Sequence, residues 1–373
     1  MSQKVFIIGA TGRVGRAFVS QIYDNKDNDA IRHKNPTIVY GVASSKSLLY
    51  SDSGLDEQTV RAFSSREIDG RRYNGVEELV EIIRKSTDRI SVIDVTAAGE
   101  MLQLHRKVID ETEHAIVTAN KLPLVMSDTE TFNRITAEPS RYGFRCTVMA
   151  GAEAVDNIRD LRDLGDAPIE IVGSFSGTLG YIFSRLQQKV RFSKAVKEAV
   201  ELGYAEPHPE KDLDGADVAN KILILSRTAG FDVSIDDVKV EPLVPHADMQ
   251  NLSAEEFISR LPELDDRFEK EMDEALNAGK TIKYIAKLAL HEGIPVITVG
   301  MDKVPLDSEM GRLKGTMNRI IIKTMGGAYN TELYSVEAPG SGPVVTAHNL
   351  RRNLLQQLKE RSVTPLSKIK GRI

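Results

Sequence analysis

Apolar positions in the first third of the chain fall into short runs, Val5-Phe6-Ile7-Ile8, Thr37-Ile38-Val39-Tyr40, Ile90 to Val95 and Ala115-Ile116-Val117-Thr118. Between them lie segments with helical spacing, from about Gly15, near Glu77 to Arg84 and near Glu100 to Thr112. Such alternation predicts a parallel sheet with helices on both faces. From about residue 150 the pattern changes. Ile169 to Phe175 reads as a strand, and helices follow near 193–202 and 216–229. Ser253 with Glu256 forms a capping-box start, and a charged helix covers roughly 264–277. Strands are expected around Ile282 to Leu288, Ile294 to Gly300 and Ile320 to Lys323, which makes the second region α+β.

The stretch GYAEPHPEKDLDGADVANK, residues 203–221, places a dense run of charges directly before the apolar Ile222-Leu223-Ile224-Leu225. Such runs are usually solvated faces. Here Gly203, Pro207 and Pro209 make an irregular loop, Asp214 is the expected N-cap, and a helix from Ala216 ends at Gly230. At about 100° per residue, Val218, Ile222, Leu225 and Ala229 share one stripe, with Asp214, Asp217 and Lys221 along its border. The second half of the helix is apolar all round, so Lys221 stands where the chain leaves solvent. An Asp–Lys pair four residues apart at that boundary is partly desolvated, which suits a proton-transfer group as well as a structural ion pair.

Composition narrows the classes. A 373-residue chain can bury a large core and fits two domains. No segment has the roughly 18 consecutive apolar residues of a membrane span, and the first strand begins too early for a signal or transit peptide, so a cytoplasmic protein without membrane contact is expected. A net charge of −5 argues against nucleic-acid binding. The single cysteine, Cys146, permits no internal disulfide or cysteine-based zinc site, and the histidines lack metal-ligand spacing, leaving His208 beside the charged loop as the one of interest.

Residues 9–15, GATGRVG, follow the first strand and open a helix, which is the context a dinucleotide fingerprint requires. The spacing is G-x-x-G-x-x-G. No acid ends the second strand, which runs through Val42 into Ala43-Ser44-Ser45-Lys46. Without a partner for the ribose hydroxyls of NAD, Lys46 and Arg13 are candidates to meet a 2′-phosphate, so NADP is preferred and NAD remains possible.

The 203–221 stretch carries every fixed position of the signature G-Y-x-E-P-x-P-x-x-D-L-x-G-x-D-V-A-x-K, and with it the chain resembles the homoserine dehydrogenase family. FSGTLGYIF (175–183), TANK (118–121) and GSGPVVTA (340–347) resemble three further family blocks in the expected order, so the likeness covers nearly the whole chain. It implies a Rossmann-type parallel-sheet nucleotide-binding domain over residues 1–150, onto which a C-terminal helix within 340–373 packs back. A second α+β domain, 151–339, is implied for substrate binding, catalysis and dimerisation. The implied reaction is reversible, NAD(P)-linked interconversion of aspartate semialdehyde and homoserine on the route to threonine and methionine. A related dehydrogenase of another small amino or hydroxy acid is the alternative.

In that family the positions of Lys221 and Asp217 are catalytic, and Lys121 of TANK resembles a second lysine placed between nicotinamide and substrate. Glu206, Asp212, Tyr204, Gly177 and Thr178 would shape the substrate pocket. Gly9, Thr11, Gly12, Arg13, Val14, Gly15, Ser44, Lys46, Thr96, Lys121 and Gly342 would contact the cofactor. Two departures stand out. The glycine loop is one residue longer than usual, and the family's VGAGLP is here Val148-Met149-Ala150-Gly151-Ala152-Glu153, with Arg145 where many members have an acid. Several members bind a monovalent cation there; an arginine argues against it, and no metal is expected. With neither a kinase nor a regulatory module in the sequence, a stand-alone catalytic unit forming a homodimer is expected.

Overall fold

In the computed structural model, residues 3–205, 208–244 and 252–358 are described below. The chain divides into two compact units, one formed by Met1–Gly151 with the segment from Ser341 onward, the other by Ala152–Gly340.

The first unit is built on a seven-stranded sheet of order β4-β3-β2-β1-β5-β6-β7. The strands are β1 (Gln3–Ile8), β2 (Thr37–Ala43), β3 (Ser47–Tyr50), β4 (Arg71–Arg72), β5 (Ile90–Asp94), β6 (Ala115–Thr118) and β7 (Tyr142–Gly143). β1 pairs in parallel with β2 and β5, and β5, β6 and β7 continue in parallel. Burial on both faces explains the unbroken apolar runs. Val5 and Ile7 join Phe18, Val19 and Ile22 of helix Arg13–Asp24 and Leu350 and Leu354 of helix Pro343–Gln357 in one core, while Phe6 between them is equally buried on the opposite face.

The expected parallel sheet is present, and two strands not read from the sequence extend it on one side. The polar stretch after β2 folds back as β3 and β4, both antiparallel, and also holds helix Glu57–Ser65. Residues such as Ser47, Arg71 and Arg72 hide these short edge strands from an apolar-run reading. The first helix begins at Arg13 rather than Gly15, because Gly12 is its N-cap, and the C-terminal helix expected within 340–373 runs from Pro343 to Gln357 after Gly342.

The second unit carries a six-stranded sheet of order β13-β12-β8-β10-β11-β9. Its strands are β8 (Pro168–Ser174), β9 (Val238–Val240), β10 (Lys280–His291), β11 (Ile294–Pro305), β12 (Met317–Thr324) and β13 (Tyr334–Pro339). β10 and β11 form a long hairpin in register from Lys280↔Pro305 to His291↔Ile294. In β12, buried Asn318, Ile320, Ile322 and Thr324 alternate with half-buried Met317, Arg319, Ile321 and Lys323. Helices Gly177–Gln187 and Ala216–Thr228 both pack on β10. The capping box at Ser253 and Glu256 is present with both reciprocal hydrogen bonds.

Candidate active site

The charged stretch before Ile222 resolves into a short helix, Glu210–Leu213, then Gly215, then helix Ala216–Thr228. Asp214 is not the N-cap; Gly215 is, at φ +80°, and Asp214 Oδ1 accepts from Ala216 N–H one position earlier, at 2.7 Å. A side chain at 215 would meet Tyr284 Oη at 2.1 Å, so the hairpin strand β10 presses on the turn that launches the helix. The stripe Val218, Ile222, Leu225 and Ala229 is buried, and so is every residue from Lys221 to Thr228.

Lys221 is 7% exposed. Its Nζ lies 2.7 Å from Asp217 Oδ2, whose side chain is 48% exposed, and donates to the Phe175 carbonyl at 2.6 Å. That carbonyl belongs to the bend between β8 and helix Gly177–Gln187. Gly173 permits the bend, since a Cβ there would fall 1.9 Å from the Phe175 ring, and Ser176 caps the helix by accepting from Leu179 N–H. In the next turn Thr178 Oγ1 donates to the Tyr204 carbonyl at 2.6 Å, and the Tyr204 ring sits 5.0 Å from that of Tyr181. Helix Glu210–Leu213, carrying half-buried Asp212, packs against both Gly177–Gln187 and Ala216–Thr228. In the second unit Lys221 and Asp217 thus stand on helix Ala216–Thr228, Gly177 and Thr178 open helix Gly177–Gln187 with Tyr204 bonded to Thr178, and Asp212 lies on the short helix that packs against both. Glu206 lies outside the described residues. The Phe175 carbonyl is a partner no side-chain reading could supply.

In the first unit the chain leaves β1 toward β2 on one side and toward β5 on the other, and the crevice at such a reversal is where nucleotides bind in open α/β sheets. Gly9, at φ +89°, lies there; a Cβ on it would come within 3.1 Å of the Val95 carbonyl group and 3.3 Å of Thr96 Cγ2. Gly9 and Ala10 N–H both donate to the Ala43 carbonyl that ends β2. A Cβ on Gly15 would fall 2.2 Å from Gly9 O, so the helix packs directly on the loop. Gly12 offers no side-chain cap and the first turn holds no acid, which leaves backbone N–H groups facing outward beside Thr11, Arg13 and Val14. A cradle that side chains would fill, at an uncapped helix start, fits a pyrophosphate.

Ser44, Ser45 and Lys46 form the turn from β2 to β3. The Ser44 hydroxyl accepts from Lys46 and Ser47 N–H at 3.1 and 3.0 Å, so it shapes the turn, while Lys46 and Arg13 are exposed. Thr96 donates its hydroxyl to buried Asp94. Lys121 is the half-buried N-cap of helix Leu122–Met126. Gly342, at φ +133°, starts helix Pro343–Gln357, whose Val344 carbonyl accepts from Gln21 of the first helix at 2.8 Å. His208 is exposed and paired with Glu210 at 3.1 Å. The histidine inside the nucleotide unit's polar network is instead His105, which lies among apolar helix positions with nothing in its sequence surroundings to mark it. Arg145 is 4% exposed, beside Gly151 in a segment where Met149, Ala150 and Gly151 all have positive φ. Among the described residues no cluster of three or more His, Cys, Asp or Glu is arranged to hold a metal.

A family model described as homoserine dehydrogenase matches residues 155–355, over half of the chain. The chain belongs to the homoserine dehydrogenase family. It is 30% identical over 379 residues to a homoserine dehydrogenase of Paracoccidioides brasiliensis, covering 96% of this chain and 99% of that one. It is 29% identical over 366 residues to the bifunctional aspartokinase/homoserine dehydrogenase of Daucus carota; that match takes in 94% of this chain and 38% of the longer protein. Among solved structures, a Candida auris protein of unknown function superimposes with a TM-score of 0.83 at 30% identity, over 95% of this chain and 98% of that one. A hyperthermophilic archaeal homoserine dehydrogenase in complex with NADPH shares the fold, with a TM-score of 0.70 at 20% identity over 96% and 98% of the two chains. As a homoserine dehydrogenase family member the chain has a Rossmann-type nucleotide-binding unit, identifiable from the glycine loop between β1 and the first helix, and an α+β second unit. No described helix is long and apolar enough to cross a membrane.

Proposed function

We propose that the chain catalyses the reversible, NAD(P)-linked interconversion of L-homoserine and L-aspartate 4-semialdehyde. The observation that carries this reading is Lys221, buried at the start of an interior helix and held by Asp217 and the Phe175 carbonyl within the family's signature sequence. An ammonium has three donors, and the Asp217 and Phe175 acceptors fix its orientation. In aldehyde reduction the Lys221 ammonium donates its proton to the carbonyl oxygen as charge develops there, leaving the neutral amine; in alcohol oxidation that neutral amine takes the hydroxyl proton and becomes the ammonium again. Asp217, half exposed, orients Lys221 and connects it to solvent for reprotonation. The acidic Asp212 and Glu206 suit the substrate's ammonium group. A bound nicotinamide supplies the hydride chemistry. Lys121 is the second lysine that the family resemblance assigns to catalysis.

The loop Gly9–Gly15 with Thr96 and Gly342 would hold the nucleotide. Arg13 and Lys46 support a preference for NADP, because both are exposed cations and no acid stands after β2 to repel a 2′-phosphate. The half-buried positions alternating along β12 support a homodimer formed through the sheet. The test is cofactor reduction by purified protein with homoserine, with NAD and NADP in parallel. Turnover of other small hydroxy acids but not homoserine would replace this substrate.

A further inference from the structure

β5 ends in Asp94, a carboxylate with 0% exposure. Its Oδ1 accepts from Thr96 N–H at 2.9 Å and Thr96 Oγ1–H at 2.7 Å. Its Oδ2 accepts from Asn120 Nδ2 at 3.0 Å and lies 3.1 Å from His105 Nε2. The other ring nitrogen of His105 is 2.7 Å from Tyr142 Oη, and both rings are fully buried. One proton arrangement satisfies every atom: Tyr142 O–H donates to Nδ1, and Nε2–H donates to Asp94. Burial alone would raise the Asp94 pKa, but the His105 and Thr96 donors outweigh it and hold the carboxyl below its ordinary range.

Asn120 carries this network to the neighbouring loop. Its Nδ2 also reaches Thr96 Oγ1 at 3.1 Å and the Ala98 carbonyl at 2.9 Å, and its Oδ1 accepts from Leu122 N–H at 3.1 Å. Residues 94–98 and 120–122 are thereby tied together on both sides of Lys121, whose own carbonyl accepts from Leu124 and Val125 N–H. We propose that Asp94 and Asn120 form a positioning clamp that fixes the backbone bearing Lys121, with His105 and Tyr142 orienting Asp94. The clamp rests on the reading of Lys121 given above. A buried carboxylate is a poor way to gain stability, since apolar replacements serve that end at least as well. All four donors to Asp94 come from residues that either flank Lys121 and the Gly9 crevice or orient the carboxylate.

Four proteins test it: wild type, Asn120→Ala, Lys121→Ala and the double variant. For each, kcat and KM for homoserine, NADPH affinity by fluorescence titration and the melting temperature are measured. A reactive group displaced by about 1 Å loses on the order of 10²-fold in rate. Asn120→Ala should therefore lower kcat by roughly that factor while NADPH affinity and KM change little. In the Lys121→Ala background the same substitution should leave kcat nearly unchanged, because the group it positions is gone. Asn120→Ser, which keeps a donor, should recover part of the loss and stands in if the alanine variant does not fold. An equal loss with and without Lys121, or a kcat loss matched by lost NADPH affinity, would overturn the clamp alone. Full activity in Lys121→Ala would overturn the role of Lys121, and the clamp with it.

Discussion

Replacing Lys221 with methionine removes the donors and charge but keeps an apolar stem for the interior helix. General acid–base groups contribute about 10² to 10⁴ in rate, or roughly 2.7–5.5 kcal/mol of barrier, so kcat should fall by that range. The structural cost is separable. Asp217 is 48% exposed on its side chain and stays hydrated when its partner goes, so the ion pair itself contributes at most about 1 kcal/mol. The buried Phe175 carbonyl loses its donor, at about 1–3 kcal/mol. Together these lower the melting temperature by about 2 to 15 °C for a unit of this size, leaving folded protein to assay. Lys221 belongs to the unit without the glycine loop, so NADPH affinity should hold. Initial rates of NADPH formation from homoserine, beside NADPH binding and a melting curve, decide the matter. A variant that keeps more than about a tenth of wild-type kcat, or loses only in KM, would show that Lys221 does not move the proton.

Three further outcomes follow from groups elsewhere in the chain. Lys283 in β10 is 3% exposed, and burial, then Lys314, lowers its pKa from 10.5 to about 8. The folded value is the lower, so the penalty is complete below pH 8 and is relieved as pH rises toward 10.5; Lys283→Met removes a penalty of up to about 3 kcal/mol at pH 7. It also costs the Leu313 carbonyl its 2.6 Å donor, about 1–3 kcal/mol, so the net gain at pH 7 is about 1–2 kcal/mol at most. Denaturant melts at pH 7 and pH 10 should show that gain shrinking, and an equal gain at both would refute the cause. Arg13→Ala with Lys46→Ala should bring NADP and NAD near parity in kcat/KM from a wild-type preference of up to about thirtyfold, two exposed phosphate contacts of up to about 1 kcal/mol each; a double variant still preferring NADP tenfold would place the phosphate elsewhere. With Arg145 where an acidic ligand would stand, added sodium or potassium at constant ionic strength should not activate the enzyme, and saturable activation by either would overturn this.

What was legible depended on how far apart in sequence the cooperating residues lie. Asp217 and Lys221 sit one helical turn apart, so periodicity alone put them on one border of a buried stripe, and the structure places Lys221 Nζ 2.7 Å from Asp217. The glycine loop was equally local: the strand before it, the helix after it and the lack of an acid beyond β2 are all read within 46 residues. Edge strands failed the same test for the opposite reason. β3, Ser47–Tyr50, has four residues and β4 only two, both arginine, too few to show an alternation; β3 pairs on the edge that β2 offers and β4 pairs on β3.

The clamp lies at the far end of this scale. Asp94, His105, Asn120 and Tyr142 come from two strands, a helix and a loop, and each alone has a bland explanation: a strand-end acid, a helix histidine, a loop amide, a buried ring. Only parallel pairing of β5 with β6 and β6 with β7 brings them together, because it sets three strands joined by two crossovers side by side. Lys121 follows Asn120 directly in sequence, and parallel pairing of β1 with β5 sets Thr96 beside Gly9. Sequence blocks therefore mark the residues proposed to touch substrate or cofactor, since their chemistry is local to a motif. Asp94, His105 and Tyr142, which hold Asn120 of TANK in place, are dispersed by the topology, and in the proposed clamp Asn120→Ala impairs catalysis without altering Lys121, Asp217 or Lys221.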